Sequence, residues 1–209
     1  MQHAGQLSGL SPRWQSKAHI LPKVCILRGI VGIGSKPHSE RAKYVAWVGT
    51  LIPEKRPDIL IDIARNAPDI RFLVCGGPSP RYGEWIVHEL RKTPNIEYLG
   101  QVPPEKAQQI IAEAAVLLCT SDVEGFPNTF VQAWSNGTPV VSLKIDPDRI
   151  IERVGLGVLS VDADHAIADI TALLDSPRRR DEIATRARGL IIENHSAATV
   201  VKRFERALQ

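Results

Sequence analysis

The chain has 209 residues, 44% of them hydrophobic and 23% charged, with a formal net charge of +3. That is enough apolar material to offset chain entropy, so wholesale disorder is excluded, and the length suits one domain or two small ones. The longest apolar run, Ala114 to Cys119, is far too short for a bilayer span, which needs roughly 20 residues, and Met1 to Leu10 show no secretory pattern.

Charge is distributed unevenly. Residues 1–43 carry seven Lys and Arg against Glu40 alone, a local charge of +6, whereas the rest of the chain sums to −3. This leader reads as a solvated linker, with contact to an anionic membrane surface as the alternative. Trp14 is its sole aromatic residue and no nucleic-acid motif is present, so nucleic acid is not an expected partner. Cys25, Cys75 and Cys119 are odd in number and widely spaced. That pattern fits neither a disulfide framework nor a metal cluster; small core residues in a cytoplasmic protein are expected, with a reactive thiol as the minor alternative.

Met1 to Lys17 reads as a tail. Gly29-Ile-Val-Gly-Ile-Gly-Ser-Lys36 imitates a phosphate loop, but Ser and Lys are reversed and Pro37 blocks the helix that should follow. From Tyr44 onward the pattern becomes regular. Strands are expected at 44–48, 71–75, 96–99, 116–119, 139–143 and 157–161. Helices are expected at 57–67, 81–92, 104–114, 128–136, 163–174, 178–193 and 197–208. Continuous apolar strands alternating with amphipathic helices imply an α/β, doubly wound, Rossmann-like parallel sheet with helices on both faces and further helices at the C-terminus. The domain is drawn at 44–209, with 1–43 as tail and linker. Ligands of such sheets lie at the carboxyl ends of the strands, directing attention to loops 49–56, 76–80, 100–104 and 120–128.

The helix expected at 128–136 gathers Asn128, Thr129, Gln132, Ser135 and Asn136 on one polar arc, opposite Phe130, Val131, Ala133 and Trp134. It follows a strand directly, so its first amides would face the crevice and favour an anion. A polar face turned to water explains the same pattern equally well.

The stretch Glu124-Gly125-Phe126, Ala133 and Gly137-Thr138-Pro139-Val140-Val141 resembles the C-terminal nucleotide-sugar-binding domain of family 4 glycosyltransferases, which have the two-domain GT-B architecture. Trp47-Val48-Gly49-Thr50-Leu51 with Glu54-Lys55, and Tyr98-Leu99-Gly100-Gln101-Val102, resemble two further elements of that family, in the same order. The resemblance covers roughly residues 44–205. It implies a retaining transfer from a nucleoside diphosphate sugar to a hydroxyl of a glycan, lipid or small-molecule acceptor, without an obligatory metal or other cofactor. By the same resemblance Lys55 contacts the diphosphate and Glu124 the sugar hydroxyls. Gly49 and Thr50 belong to the donor loop, Val102 lies by the base, and Phe126, Asn128 and Thr129 offer backbone to the phosphates.

Three positions depart from the family pattern. Gln132 stands for the Glu that holds the ribose, so a charge-assisted bond becomes a neutral one. Thr50 replaces an Arg, removing one cation, and Pro127 replaces a Gly, removing one amide donor. Residues 1–43 are too few for the acceptor-binding domain the family carries, so a separate domain or partner chain is expected to supply it. A non-catalytic module that binds nucleotide or another chain is the alternative reading, and a sugar-nucleotide epimerase of the same architecture is a weaker one. An NAD-dependent oxidoreductase is excluded because the dinucleotide glycine fingerprint is missing.

Overall fold

A computed structural model describes residues 37–80 and 84–195, with Thr199, Val201, Lys202 and Glu205. Expectations for 1–36, and most of the helix expected at 197–208, lie outside these residues. Six strands, β1 (Val45–Val48), β2 (Phe72–Cys75), β3 (Ile96–Gly100), β4 (Val116–Cys119), β5 (Val140–Ser142) and β6 (Gly157–Leu159), form one parallel sheet in the order 3-2-1-4-5-6. Six longer helices are described: α1 (Pro57–Asn66), α2 (Trp85–Lys92), α3 (Pro104–Glu113), α4 (Asn128–Ser135), α5 (Ala163–Asp175) and α6 (Pro177–His195). None of the described helices is long and apolar enough to cross a membrane.

Alternate side chains of the strands feed two cores. Val45 and Trp47 of β1, with Phe72 and Val74 of β2, pack with Leu60 and Ile63 of α1, Ile86 of α2 and Ile170 of α5. Ala46, Leu73 and Cys75 join Ile110 of α3, Phe130 and Trp134 of α4, and Ala187 of α6 on the other face. Burial on both faces is why the strands read as continuous apolar runs rather than alternating ones. It also accounts for Cys75, a buried residue whose thiol burial pushes up to about 11; Cys119 is half-buried.

Among the described residues, the elements expected between 44 and 193 appear with edges moved by a few residues. Tyr44 precedes β1 instead of opening it, and its hydroxyl donates to the Ile110 carbonyl at 2.7 Å. Asn136 is buried at the C-terminal cap of α4 and does not join the polar arc, because the helical wheel no longer applies past Ser135. Residues 37–43 pack on the domain: His38 and Arg41 are both buried. The order of strands reverses between β1 and β4, which opens a crevice there at their carboxyl ends.

Candidate functional site at the strand-order reversal

The loop after β1 continues beside the loop after β2. Gly49 N–H donates to Cys75 O at 3.0 Å, Leu51 N–H to Gly77 O at 2.9 Å, and Ser79 N–H to Leu51 O at 3.2 Å. The close approach requires glycine at position 76, where φ is +154° and a Cβ would lie 1.7 Å from the Gly49 carbonyl oxygen. Gly76 N–H in turn donates to Gly100 O at 2.8 Å, tying in the loop after β3. Between these loops lies a cleft of about 370 Å³, lined among others by Gly49, Thr50, Gly76, Gly77, Gln101 and Val102. Three glycines in that wall let a ligand reach the backbone.

Past Thr50 the chain makes a short 3-10 turn, Pro53–Lys55, and then Arg56 takes a left-handed conformation (φ 50°, ψ 55°) before α1 begins at Pro57. The Lys55 stem runs beside the cleft, since a Cβ on Gly49 would lie 3.7 Å from Lys55 Cδ. Its ammonium pairs with the Glu124 carboxylate, and both side chains are partly exposed. Ser121 Oγ donates to the same Glu124 oxygen at 3.1 Å.

The loops carrying these charges are fastened to each other. Trp47 Nε1 donates to Thr120 Oγ1 at 3.0 Å, and the Thr120 hydroxyl donates to the Lys55 carbonyl at 2.7 Å. Asp122 N–H donates to the Glu54 carbonyl at 2.9 Å. The Asp122 carboxylate accepts from Arg56 Nη1 at 3.2 Å and pairs with Lys144, from the loop after β5. Lys144, and then Arg56, hold the Asp122 carboxyl below its ordinary range. Arg56 is held charged by its bonds to Asp58 and then Asp122.

α4 starts just beyond this network. Pro127 is its N-cap and offers no side-chain bond. The amides of Asn128 and Thr129 therefore have no preceding turn to bond to, a natural receptor for an anion. Asn128 is exposed and Thr129 and Gln132 half-buried, and none of their side chains makes a hydrogen bond among the described residues. Phe126 differs: its ring is buried edge-on against Trp134 (centroids 6.3 Å, 84°), so its side chain anchors the loop.

The structure thus gathers Gly49, Thr50 and Val102 along one cleft and joins Lys55 to Glu124 beside it. It sets Asn128, Thr129 and Gln132 on the helix that follows. Sequence reasoning passed over Arg56, Ser121, Asp122 and Lys144. The available signal was a second carboxylate, Asp122, two positions before Glu124 in the same loop. Among the described residues, no group of His, Cys, Asp and Glu side chains is arranged to hold a metal ion.

Residues 33–190 match the family model described as glycosyl transferases group 1. The chain is 32% identical over 142 residues to a D-inositol 3-phosphate glycosyltransferase from Mycobacterium sp. (strain KMS), an alignment covering 65% of this chain and 32% of that protein. It is 33% identical over 153 residues to the protein of that name from Corynebacterium efficiens, covering 66% and 36%. The chain therefore spans about a third of the length of the curated relatives it matches. Among solved structures, sucrose-phosphate synthase from Thermosynechococcus elongatus superposes with a TM-score of 0.76 at 19% identity, covering 99% of this chain and 55% of that one. HepE from Anabaena in complex with UDP gives 0.69 at 21%, covering 97% and 54%. At these identities the likeness to solved structures is one of fold.

Proposed function

This chain belongs to the glycosyl transferases group 1 family, and we propose that it is the nucleotide-sugar-binding half of a retaining, family 4 glycosyltransferase of GT-B architecture. The observation that carries this reading is the pairing of Lys55 with Glu124 beside a glycine-walled cleft, at the strand-order reversal and next to the open end of α4. In this reading the base lies by Val102 and Gln101, and the diphosphate meets Lys55, the Gly49–Thr50 loop and the Asn128 and Thr129 amides. Glu124 accepts hydrogen bonds from the sugar hydroxyls, and Gln132 accepts one from the ribose.

During transfer the bond between the anomeric carbon and the diphosphate oxygen breaks, the acceptor oxygen bonds to that carbon on the same face, and the acceptor's hydroxyl proton passes to the departing diphosphate. Negative charge grows on the leaving diphosphate. A fixed ammonium and unbonded helix amides stabilise it with no reorganisation at the moment of reaction. The acceptor hydroxyl must be held over the sugar by a further domain or a partner chain, on a glycan, lipid or small molecule. Such chemistry belongs in the cytoplasm, and residues 1–36, with five Lys and Arg and no acidic residue, are the segment suited to touching an anionic inner-membrane face. Calorimetric titration with UDP, GDP and ADP tests the core of the proposal: one should bind at micromolar to millimolar concentration, and silence from all three at millimolar concentration sinks it.

A further inference from the structure

Lys55 and Glu124 stand 69 positions apart on different loops, yet their charged ends meet. The contact is built into the fold. The carrier loops are locked by Asp122 N–H to Glu54 O at 2.9 Å and by the Thr120 hydroxyl to Lys55 O at 2.7 Å. Ser121 Oγ donates to the same carboxylate oxygen at 3.1 Å. The neighbouring cation, Arg56, is committed to Asp58 and Asp122. A carboxylate oxygen therefore occupies the place beside the Lys55 ammonium that a phosphate oxygen would take, and an ammonium accepts either as a partner.

We infer that Glu124 is an internal competitor for Lys55, which makes the site favour an intact nucleotide sugar over the spent nucleoside diphosphate. The inference rests on the donor-site reading above. When a nucleotide sugar binds, its phosphate takes Lys55, and the sugar hydroxyls donate to the carboxylate that has been released. Glu124 exchanges one set of donors for another. When a bare diphosphate binds, Lys55 is taken in the same way, but the carboxylate is left with Ser121 and water. Once the sugar has been transferred, Glu124 therefore pulls toward Lys55 against the departing product. One carboxylate both recognises the sugar and favours release of what remains.

The test is a double-mutant cycle read by calorimetry, with inorganic pyrophosphate, UDP, GDP and ADP as probes, on the native chain, Glu124→Gln, Lys55→Ala and the double variant. Gln keeps the shape and the Ser121 contact while removing the charge. A partly exposed ion pair is worth up to about 1 kcal/mol, so Glu124→Gln should bind pyrophosphate, and each diphosphate that binds the native chain, about two- to fivefold more tightly. The corresponding nucleotide sugar should bind it less tightly. The gain should shrink as salt is raised and vanish when Lys55 is absent. Glu124→Ala should act with the same sign. Equal tightening with and without Lys55 would mean general repulsion and overturn the inference, as would unchanged affinity in Glu124→Gln. Failure of every probe to bind the native chain at millimolar concentration overturns the donor-site reading beneath it; binding without a Glu124 effect overturns this inference alone.

Discussion

The two ends of α4 are treated in opposite ways. At its C-terminus the carbonyls are satisfied several times over. Gly137 turns left-handed (φ 71°), its N–H donates to Trp134 O at 3.0 Å, and Thr138 N–H donates to Ala133 O at 2.8 Å, which is a Schellman closure. Buried Arg41 then donates to Asn136 O at 2.7 Å and to Thr138 Oγ1 at 3.2 Å. His38 Nε2 donates to Gly137 O at 2.9 Å. At the N-terminus Pro127 has no side-chain bond to give, and the amides of Asn128 and Thr129 have no preceding turn to bond to. Orphan helix groups are costly when buried, so a fold closes them wherever it can. Leaving one end open near Lys55 and Glu124, and sealing the other with buried His38 and Arg41, separates the end proposed to bind from the end that holds.

The strongest way to break this contrast is at the sealed end. Arg41→Ala strands the Asn136 carbonyl and opens a cavity. Because a hydrogen bond to a charged group is worth roughly 1.5–3 kcal/mol, a loss of about 3 kcal/mol is expected in urea unfolding. Nucleotide affinity of the folded variant should not change. A loss below about 1 kcal/mol, smaller than any one such bond, would remove the sealing role from Arg41.

His38 makes the same end sensitive to pH. Burial first, and then the Arg41 charge, lower its pKa to about 4. The unfolded chain takes up this proton as pH falls through about 6.5, while the folded chain resists until about 4. Stability from this group is therefore complete above pH 6.5 and is lost progressively down to about 4, with about 2 kcal/mol gone by pH 5. His165, raised by Asp162, works in the opposite direction, but that pair is exposed and screened. Urea midpoints at pH 7, 6 and 5 should fall for the native chain and flatten in His38→Gln. Parallel slopes in the two proteins would assign the pH dependence elsewhere.

The sealed end was the harder of the two to read from sequence. Val116–Cys119 announced itself as a strand because both its faces are buried, and Gly137 announced the end of α4 because only glycine turns left-handed there easily. Lys55 and Glu124 stood out through a resemblance, yet nothing local said they touch. That contact follows from the 3-2-1-4-5-6 order, which seats the loop after β1 beside the loop after β4. His38 and Arg41 looked like members of a solvated basic leader, because a count of charges cannot see backbone carbonyls. Their partners are the Asn136 and Gly137 carbonyls, 95 and 99 positions away, exposed as acceptors only once a helix ends there.

At the open end, substitutions should move binding more than stability. Lys55→Ala removes a partly exposed pair, which contributes about 1 kcal/mol or less to folding. It should nevertheless weaken a nucleoside diphosphate by about tenfold, since a bond from a charged donor to phosphate is worth roughly 1.5 kcal/mol or more. The matching nucleoside should bind as before. Equal losses for nucleoside and diphosphate in calorimetry would take Lys55 away from the phosphates.

The smallest effect separates strain from pairing at Arg56. A non-glycine residue in the left-handed region costs about 1 kcal/mol or somewhat more, and Arg56 holds that conformation at φ 50° while bonded to Asp58 and Asp122. Arg56→Ala keeps the strain and loses the bonds; Arg56→Gly loses both. Glycine should thus be the more stable variant by about 0.5–1 kcal/mol, the strain relief being partly offset by the greater freedom of glycine in the unfolded chain. Urea unfolding of the two variants measures the difference directly, and equal midpoints would show no strain to relieve. Both should bind a nucleotide sugar more weakly than the native chain, because each removes the Arg56–Asp122 tie that steadies the loop carrying Glu124. A glycine variant that restored stability but not affinity would show why a charged side chain stands at a position whose backbone asks for none.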